Sequence, residues 1–382
     1  MKQNNLKKKL MVLMCTMLIF SMTGCDGKDT KNETTNALVF DYSLELKYSE
    51  HFGIDYYKGG YKIINANDGA GNETQIVIVP EGMSVPTEGI KEDAIVLCQP
   101  IDGIMSASAP AVSLLNAMGA LDKVKLTTSA DSSWYIEDVK QAMADGKLQY
   151  VGDSAAPDYE MITASNVNFA VYTRMLTEDV EAQLNKVGVN VLCDYSSIEK
   201  EPMARVEWAY LYGALFNLED EAKKLVEEQE AAMNGINLDD TPKKKVAVFY
   251  ITSKGKLYAR NADDYMAMMV EYAGGEYALS DVGVGETGTV NMEMEAFYEK
   301  ANDADYIIYV WSMGGKPEKL DDLLANSELL KDFKAVQEGN VWCTTPDYFQ
   351  ATDAIGDMVA DINVVLQGGA TDEDVTYLFR LK

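Results

Sequence analysis

Apolar and polar positions alternate in two series along the chain, and each series predicts short buried strands separated by helices. A hairpin comes first, at 56–80, where GYKIINAN and ETQIVIVP flank the turn DGAGN. Short apolar strands such as AIVLCQP, KVKLTT, NVNFAVYT and VNVLCDY then alternate with helical segments, two of which end at Gly119 and Gly188. Strands and helices in this order predict βαβ units and a mainly parallel sheet.

The longest helical pattern runs from Pro202 to Asn234 and is broken only near Gly213 and Asn217. A second alternating series follows, from the strand VAVFYIT to a terminal helix at 351–366. We therefore predict an α/β fold of two Rossmann-like lobes joined by a single long interlobe helix. The N-terminal lobe with its leading hairpin is placed at 46–201, the interlobe helix at 202–236 and the C-terminal lobe at 243–382.

The N-terminus has the parts of a secretory signal. Four lysines precede an apolar run from Leu10 to Met22, which is shorter than the roughly 20 residues that span a bilayer. The following SMTGC resembles the lipobox of bacterial lipoproteins, which implies a signal peptide at 1–24 and a lipid on Cys25. The alternative is an ordinary cleaved signal with an incidental cysteine. The polar segment Asp26–Asn36 indicates a flexible linker, which we extend to residue 45.

Composition and charge support a globular protein and exclude some classes of partner. The chain is 47% hydrophobic and 25% charged, as globular proteins are, and its 382 residues suit two lobes better than one. The formal net charge of −28 repels nucleic acid and anionic lipid, so neither is expected as a partner.

Histidine and cysteine usage argues against catalysis and against a metal site. His51 is the only histidine, so a Ser-His-Asp triad, a Cys-His dyad or a common zinc site lacks its parts. Cys98, Cys193 and Cys343 sit in apolar runs without metal spacing, and we expect buried thiols rather than a disulfide. We predict no enzyme activity, no cofactor and no metal bound directly by the protein.

Three short motifs match enzyme signatures without the required context. Gly283–Gly288 fits G-x-G-x-x-G but does not join a strand to a helix. Ser197–Lys200 fits S-x-x-K and lacks the partner K-T-G motif. Glu293 and Glu295 are two apart, so they would not face each other on a helix.

Aromatic and arginine side chains near the ends of predicted strands suggest a ligand cleft. Ligands of open α/β sheets bind beyond the carboxyl ends of the strands, where aromatic rings offer flat surfaces and arginines bind anionic groups. The alternative is that these aromatic residues only cover the rim of the core. The candidate ligand-binding residues are Trp134, Tyr135, Tyr172, Arg174, Arg205, Trp208, Tyr258, Arg260, Trp311 and Tyr348.

Over about residues 94–366 the chain resembles the substrate-binding lipoproteins of ABC importers for iron–siderophore, haem and vitamin B12. The resemblance rests on ordered motifs, in one of which Val167-Asn168 replaces the family's Pro-Asp. They are PAVSLLNAMGALDKV, YVGDSAAPDYEMITASNVNFAV, LNKVGVNVLCDYSS, WAYLYGALFNLEDEAKKL, VNMEMEAFYEKANDADYIIYV and FKAVQEGNVWCTTPDYF.

The resemblance implies that a metal chelate binds between the lobes and passes to an ABC permease in the cytoplasmic membrane. Family members use one glutamate per lobe to bind arginines of the permease, and Glu160 and Glu295 stand at those positions. Trp134–Ile136 and Arg205–Trp208 resemble the W-Y-I and R-x-E-W motifs of Gram-positive members. We therefore expect a lipid-anchored monomer on the outer face of a single membrane, or in the periplasm of a Gram-negative cell.

The chemical identity of the ligand stays open at this stage. A siderophore, haem or a cobamide would each fit, although the scarcity of histidine disfavours haem. The alternatives to a chelate binder are a lipid-anchored binder of sugars or amino acids and a lipid-anchored hydrolase.

Overall fold

The computed structural model describes residues 37–238, 243–311 and 316–382. The predicted signal peptide, Cys25 and the linker as far as Asn36 lie outside these residues. No helix within the described ranges is long and apolar enough to cross a membrane.

The first five strands form a sheet of their own before the lobes begin. Its four leading strands are antiparallel neighbours, and the fifth pairs in parallel with the fourth. The predicted hairpin is confirmed, and its turn is held by Asp68, whose carboxylate accepts hydrogen bonds from the amides of Ala70 and Asn72. The strands are β1 (Phe40–Ser43), β2 (Phe52–Tyr57), β3 (Lys62–Asn67), β4 (Glu73–Val79) and β5 (Ile95–Cys98).

Two expectations for this region are wrong. The strand β1 lies inside the segment assigned to a linker ending at 45. The strand β5 was expected to start the parallel sheet of the first lobe but joins the leading sheet instead. The strand that does enter the lobe, Ile104–Ala107, is short and is followed by Ser108, whose buried hydroxyl donates to Asp194 at 2.7 Å. Small polar residues therefore hid this strand from an apolar-run criterion.

The first lobe is a five-stranded parallel sheet in the order β10-β9-β6-β7-β8, with helices in the connections. Glycines end two of these helices with positive φ, +71° at Gly119 and +83° at Gly188. The elements are β6 (Ile104–Ala107), α1 (Ala109–Ala117), β7 (Val124–Thr127), α2 (Glu137–Ala144), β8 (Gln149–Tyr150), α3 (Tyr159–Ala164), β9 (Phe169–Thr173), α4 (Glu178–Lys186) and β10 (Asn190–Asp194).

The single interlobe helix is corrected to two helices, α5 (Pro202–Phe216) and α6 (Glu219–Asn234). Asn217 ends α5 in the left-handed conformation with φ +59°, which asparagine tolerates. Gly213 permits a close approach, since a Cβ there would lie 2.9 Å from Ala222 of α6. The backbone and side chain of Lys47 bond to α5 and to Glu230 of α6, so the second helix runs back beside the first.

The turn between α5 and α6 is fixed by the leading sheet. Lys62 of β3 is 5% exposed, and its ammonium donates to Ala214 O at 2.9 Å, to Asn217 Oδ1 at 2.8 Å and to Glu219. Gln99 also donates to Asn217, at 2.8 Å. One buried cation therefore satisfies a terminal carbonyl of α5 and pairs with the first residue of α6.

Lys62→Met should lower the free energy of unfolding by about 2 kcal/mol, because buried acceptors lose their donor. The matched control is Lys91→Met, in the loop between β4 and β5 of the same sheet. Lys91 also pairs with a glutamate, Glu73, but both side chains are about two-fifths exposed, so its loss should cost at most about 1 kcal/mol. Urea unfolding of both variants checks this, and equal losses would contradict the role given to Lys62.

The second lobe has a mixed sheet in which three central strands are parallel and the flanking strands are antiparallel. The chain enters this lobe once, after α6. Its elements are β11 (Lys245–Ile251), β12 (Leu257–Arg260), α7 (Tyr265–Tyr272), β13 (Glu276–Tyr277), β14 (Thr289–Met292), α8 (Met294–Ala301), β15 (Tyr306–Tyr309), α9 (Leu320–Leu324), α10 (Lys334–Gln337), β16 (Val341–Thr344), α11 (Ile355–Leu366) and β17 (Leu378–Arg380).

The three described cysteines are free thiols, as expected, but they differ in burial. Burial raises the pKa of Cys343 to about 12 and that of Cys193, which is half-buried, to about 11. Cys98 is exposed at the end of β5, so the prediction that all three are buried is wrong for this residue.

Candidate functional site

Loops that follow the carboxyl ends of the strands in both lobes meet along a seam. The seam is defined here by Ser133 and Tyr135 of the first lobe and Trp311 and Gln350 of the second. The side-chain amide of Gln350 makes both polar contacts. Its Nε2 donates to Ser133 O at 2.7 Å, and its Oε1 accepts from the backbone amide of Tyr135 at 2.9 Å. The rings of Tyr135 and Trp311 are 5.9 Å apart at 71°. Two polar contacts and one edge-to-face ring pair therefore join the lobes at this point.

A second contact between the lobes involves a partly buried carboxylate. The Ser113 hydroxyl of α1 donates to Asp353, which lies just before α11, and the Asp353 amide donates back at 3.3 Å. Burial raises the pKa of the Asp353 carboxyl, while the bond from Ser113 opposes that shift. The first helix of one lobe is thus tied to the last helical segment of the other.

Arg205, near the start of α5, is held between the first lobe and the second. Its Nη2 donates to Ser197 O at 2.7 Å, and its guanidinium carbon lies 3.6 Å from the centre of the Tyr265 ring of α7. This stacking is a cation–π contact. Burial lowers the pKa of the Arg205 guanidinium, and the nearby charge of Arg260 lowers it further, while Tyr265 and Asp264 oppose the shift.

Arg260 ends β12 and is 7% exposed. Its Nη1 is 3.6 Å from Asp264 Oδ1, which is an ion pair but too long for a hydrogen bond. Its guanidinium carbon lies 5.8 Å from the ring of Phe349. The carboxylate of Asp264 is already engaged, since it accepts from the amides of Met266 at 3.1 Å and Gly288 at 2.9 Å.

The arginine pocket, defined as Arg205, Arg260, Asp264, Tyr265 and Phe349, contains unsatisfied donors. Within the described residues only three buried side-chain polar atoms lack a partner, and two of them are the Nε atoms of these arginines. Most buried polar groups in proteins are hydrogen-bonded, so two orphans in one cluster are unusual. Tyr348 lies beside the pocket, with its hydroxyl 3.7 Å from Met269 Sδ.

The structure divides the ten predicted ligand-binding residues into groups. Arg205, Arg260 and Tyr348 come together at the arginine pocket, while Tyr135 and Trp311 meet at the seam. The other five lie elsewhere. They are Trp134, Tyr172, Arg174, Trp208 and Tyr258.

Three of those five are core residues. Trp134 is 1% exposed and donates to Ser129 O, and Trp208 is fully buried and donates to Glu199 Oε1 at 3.0 Å. Tyr172 is buried in a cluster within the first lobe. These positions favour packing over ligand contact. Tyr258 stacks on Tyr250, with the rings 5.2 Å apart and nearly parallel.

Arg174 is exposed and lines a cavity of about 800 Å³ at the edge of the first lobe, together with Glu178, Glu181 and Cys193. Another cavity, of about 670 Å³, lies at the amino ends of strands and is lined by Gly103 and Asn168 among others. Neither cavity includes a residue of the seam or of the arginine pocket.

Sequence reasoning missed Asp264, Tyr265 and Gln350. A signal existed for the first, because an aspartate just after a strand and before a helical run is a common N-cap, and Asp264 caps α7. Gln350 had no comparable signal, since its role depends on which loop of the other lobe faces it.

The two predicted docking glutamates occupy equivalent places. Glu160 lies in the first turn of α3 and Glu295 in the first turn of α8. Both are exposed. Neither carboxylate is engaged in an ion pair among the described contacts of these helices.

Two facing α/β lobes joined by one crossing, with a charged pocket and a seam between them, define a bilobal solute-binding protein. The chain belongs to the periplasmic binding protein family, whose model matches residues 113–348. The family resemblance is confirmed, and so is the predicted fold class of two α/β lobes, with the single interlobe helix corrected to two helices. The leading sheet precedes the matched region.

Three known proteins are similar to this chain. An uncharacterized lipoprotein of Methanocaldococcus jannaschii is 26% identical over 97% of this chain and 96% of its own length. A periplasmic binding protein of Veillonella parvula aligns with a TM-score of 0.58 at 18% identity, covering 78% of this chain and 95% of that one. A periplasmic heme-binding protein of Pseudomonas aeruginosa aligns at 0.56 and 16% identity, covering 74% and 98%.

Proposed function

We propose that this protein is the extracytoplasmic solute-binding component of an ABC importer and captures a metal chelate between its lobes. The seam is the observation that carries the proposal. The loops after the carboxyl ends of both sheets meet there through Gln350 and through the Tyr135–Trp311 ring pair. Open α/β sheets bind ligands at this edge.

A chelate suits the chemistry of the seam and its surroundings. The aromatic rings of Tyr135 and Trp311 present flat apolar surfaces, and Tyr135 is 41% exposed. Among the described residues, no group of three or more His, Cys, Asp or Glu side chains is placed to hold a bare ion. A chelate brings its own metal ligands. The haem-binding relative of Pseudomonas aeruginosa supports an iron chelate as the first class to test.

Delivery to a permease is the second part of the proposal. A lipid on Cys25 would hold the protein beside a permease in the same membrane and raise the effective concentration of the encounter. Glu160 and Glu295, one exposed acid on each lobe, would bind arginines of that permease. The lipoprotein of Methanocaldococcus jannaschii supports the anchor.

A thermal-shift screen of the purified, anchor-free protein tests the ligand class. The panel contains ferrichrome, a ferric catecholate, haemin, cyanocobalamin, maltose and an amino-acid mixture. A chelate present at about 100 times its Kd should stabilise the protein by about 2.7 kcal/mol, because it binds only the folded state. A response to the sugar or amino acids alone would favour the alternative binder over a chelate binder.

The seam itself is tested with the chelate that responds. Tyr135→Ala combined with Trp311→Ala should weaken its binding about tenfold or more, measured by calorimetry, because the ring surfaces are removed. The matched control is Tyr150→Ala, which removes a similarly exposed tyrosine (39%) elsewhere in the first lobe. An unchanged Kd in the seam variant would place the ligand somewhere else.

A further inference from the structure

We propose that an apolar patch on the leading sheet contacts the surface of the lipid bilayer to which the protein is anchored. This edge patch is defined by five exposed side chains from two short segments of the chain. They are Val39, Phe40, Tyr42, Met83 and Val85. The inference rests on the lipid anchor of the proposed function and adds a second point of attachment to it.

The edge patch holds a large share of the exposed apolar surface. Within the described residues eleven large hydrophobic side chains are exposed, and five of them belong to these two segments. The other six are spread over both lobes and the end of the interlobe helices. Single exposed apolar residues are ordinary, whereas a cluster of them marks a surface for another protein or a membrane.

The two segments of the edge patch lie side by side at the turn between β2 and β3. The Lys58 amide in this turn donates to Val39 O at 2.8 Å. On the other side of the turn, a Cβ placed on Gly59 would lie 3.7 Å from Met83 Cε. The five side chains therefore belong to one surface.

Two rings of the edge patch are already fixed by the neighbouring strand β2. Tyr42 stacks on Tyr56, with the ring centres 4.6 Å apart and nearly parallel. Phe40 meets Tyr57 edge to face at 5.9 Å. Tyrosine is enriched at membrane–water interfaces, where its ring meets apolar chains and its hydroxyl meets water. Rings held in advance lose little freedom on contact.

The place of the edge patch in the chain favours the bilayer as its partner. Cys25, the proposed lipid site, stands 14 positions before Val39, so the patch lies within about 50 Å of the anchor. A short tether gives an effective concentration of the order of millimolar, at which a weak apolar affinity is sufficient. A second copy fits less well, because five side chains offer less than the roughly 800 Å² per partner of a stable interface.

Charge sets the kind of bilayer that the edge patch prefers. Asp41 is paired with Lys58, but Glu81 and Glu88 are exposed acids on the adjoining loop. The rim of the patch is therefore negative, and anionic headgroups would weaken the contact at low salt. We expect the patch to prefer a zwitterionic surface.

The position of the edge patch has a consequence for the cleft. The strands β4 and β5 are parallel and end beside the amino ends of the first-lobe strands, where Cys98 and Gly103 line one cavity. The patch loop follows β4 directly, whereas the seam follows the carboxyl ends of the sheets. A protein held by the edge patch would turn its cleft toward incoming solute, and it would release the patch in order to dock on the permease.

The test holds the anchor-free protein on vesicles through an N-terminal histidine tag and a nickel-chelating lipid. The dye NBD is attached through Met83→Cys in a Cys98→Ser background, since the other two described thiols are half-buried and buried. On phosphatidylcholine vesicles, brominated acyl chains should quench the dye about twofold, because an interfacial side chain reaches the boundary between headgroups and acyl chains. The matched control, Met175→Cys, labels the most exposed of the eleven residues and should be quenched little.

A second variant and a second lipid make the result specific. Val39→Ser with Phe40→Ser should abolish the quenching at Met83→Cys and leave the unfolding midpoint unchanged, since both side chains are exposed. Vesicles with added phosphatidylglycerol should quench less at low salt. Quenching that is equal at Met83→Cys and Met175→Cys, or that survives Val39→Ser with Phe40→Ser, overturns the proposal.

The remaining outcomes separate this inference from its alternative and from the proposed function. A dimer in sedimentation that Phe40→Ser dissociates would assign the edge patch to a second copy and overturn the membrane contact. Labelling of Cys25 by radioactive palmitate in cells tests the anchor, and the thermal-shift screen tests chelate binding. If Cys25 is labelled and a chelate binds while the dye stays unquenched, only the membrane contact is lost.

Discussion

Exchanging Glu160 and Glu295 together for arginine is expected to reduce solute uptake by at least tenfold while leaving ligand affinity unchanged. Each glutamate is exposed in the first turn of a lobe helix, where its carboxylate can accept a bidentate guanidinium. Arginine at the same places would repel the arginines proposed for the permease. The pair lies on two different lobes, so one reversal removes one contact and the double reversal removes both.

Net charge is controlled by a second double variant, Glu178→Arg with Asp321→Arg. These acids are also exposed and lie in the first turns of α4 and α9, one on each lobe. Both double variants change the net charge by the same amount and place arginine at a helix N-terminus, at a similar cost of about 0.3–1 kcal/mol each.

The two double variants are compared in two measurements. These are solute uptake in cells that carry the importer and the calorimetric ligand affinity of the purified protein. The control pair should transport at a normal rate. If uptake by the control variant falls as much as uptake by the Glu160 and Glu295 variant, then the change in net charge explains the loss. That result would contradict the docking role. A drop in ligand affinity in the docking pair would point to an indirect effect on the cleft.

Most of the fold could be predicted because its signals are local. Buried parallel strands are apolar runs, and helices in the first lobe end at glycines with positive φ, so the alternation was visible directly. The strand at 104–107 was missed because Ser106 and Ser108 interrupt its apolar run, and the residue that accepts the Ser108 hydrogen bond, Asp194, is distant in sequence. A hydrogen bond between residues so far apart in the chain cannot be predicted from the local sequence pattern.

The break in the interlobe helix shows the same limit. The sequence marks Gly213 and Asn217 as weak points of the helix, but glycine and asparagine are tolerated inside many helices. At the break, the Lys62 ammonium reaches across from another sheet and donates to Ala214 O and Asn217 Oδ1 at the end of α5. Propensity alone could not supply that contact.

The candidate site was only partly predictable for a related reason. Residue type placed Arg205, Arg260, Tyr135 and Trp311 near a cleft, and the structure brings each pair together. Residue type could not distinguish these four residues from Trp208, which was also a ligand-binding candidate but is fully buried. Burial is a property of the packed lobes, and an indole ring serves a core as well as it serves a ligand.

The largest loss of stability is expected from Glu207→Ala, at about 3 kcal/mol or more. Glu207 is 2% exposed on α5, and its carboxylate accepts the amides of Lys47 at 2.8 Å, Tyr48 at 2.9 Å and Ser49 at 2.7 Å. Burial raises the pKa of this carboxyl, and the three amide bonds oppose the shift. Alanine would leave three donors without an acceptor, each costing about 1 kcal/mol or more.

Two further variants separate the loss of hydrogen bonds from the loss of charge. Glu207→Gln keeps one carbonyl acceptor but turns its NH2 group toward one or two of the backbone donors. The free energy of unfolding should therefore fall, but by less than in Glu207→Ala. Glu230→Ala, the control, removes the bonds that Glu230 makes with the side chains of Lys47, which is 62% exposed, and Tyr48, and should cost at most about 1 kcal/mol.

Urea unfolding measures these losses, and hydrogen exchange locates them. In Glu207→Ala the amides of residues 47–49 should exchange much faster, because the segment before β2 is no longer held to α5. Exchange that stays slow would mean that other contacts hold this segment, above all the bonds from Ser49 and His51 to Glu199. Faster exchange, together with the loss for Lys62→Met, would show that the N-terminal region stabilises α5 at two places, at Glu207 and at its C-terminal end.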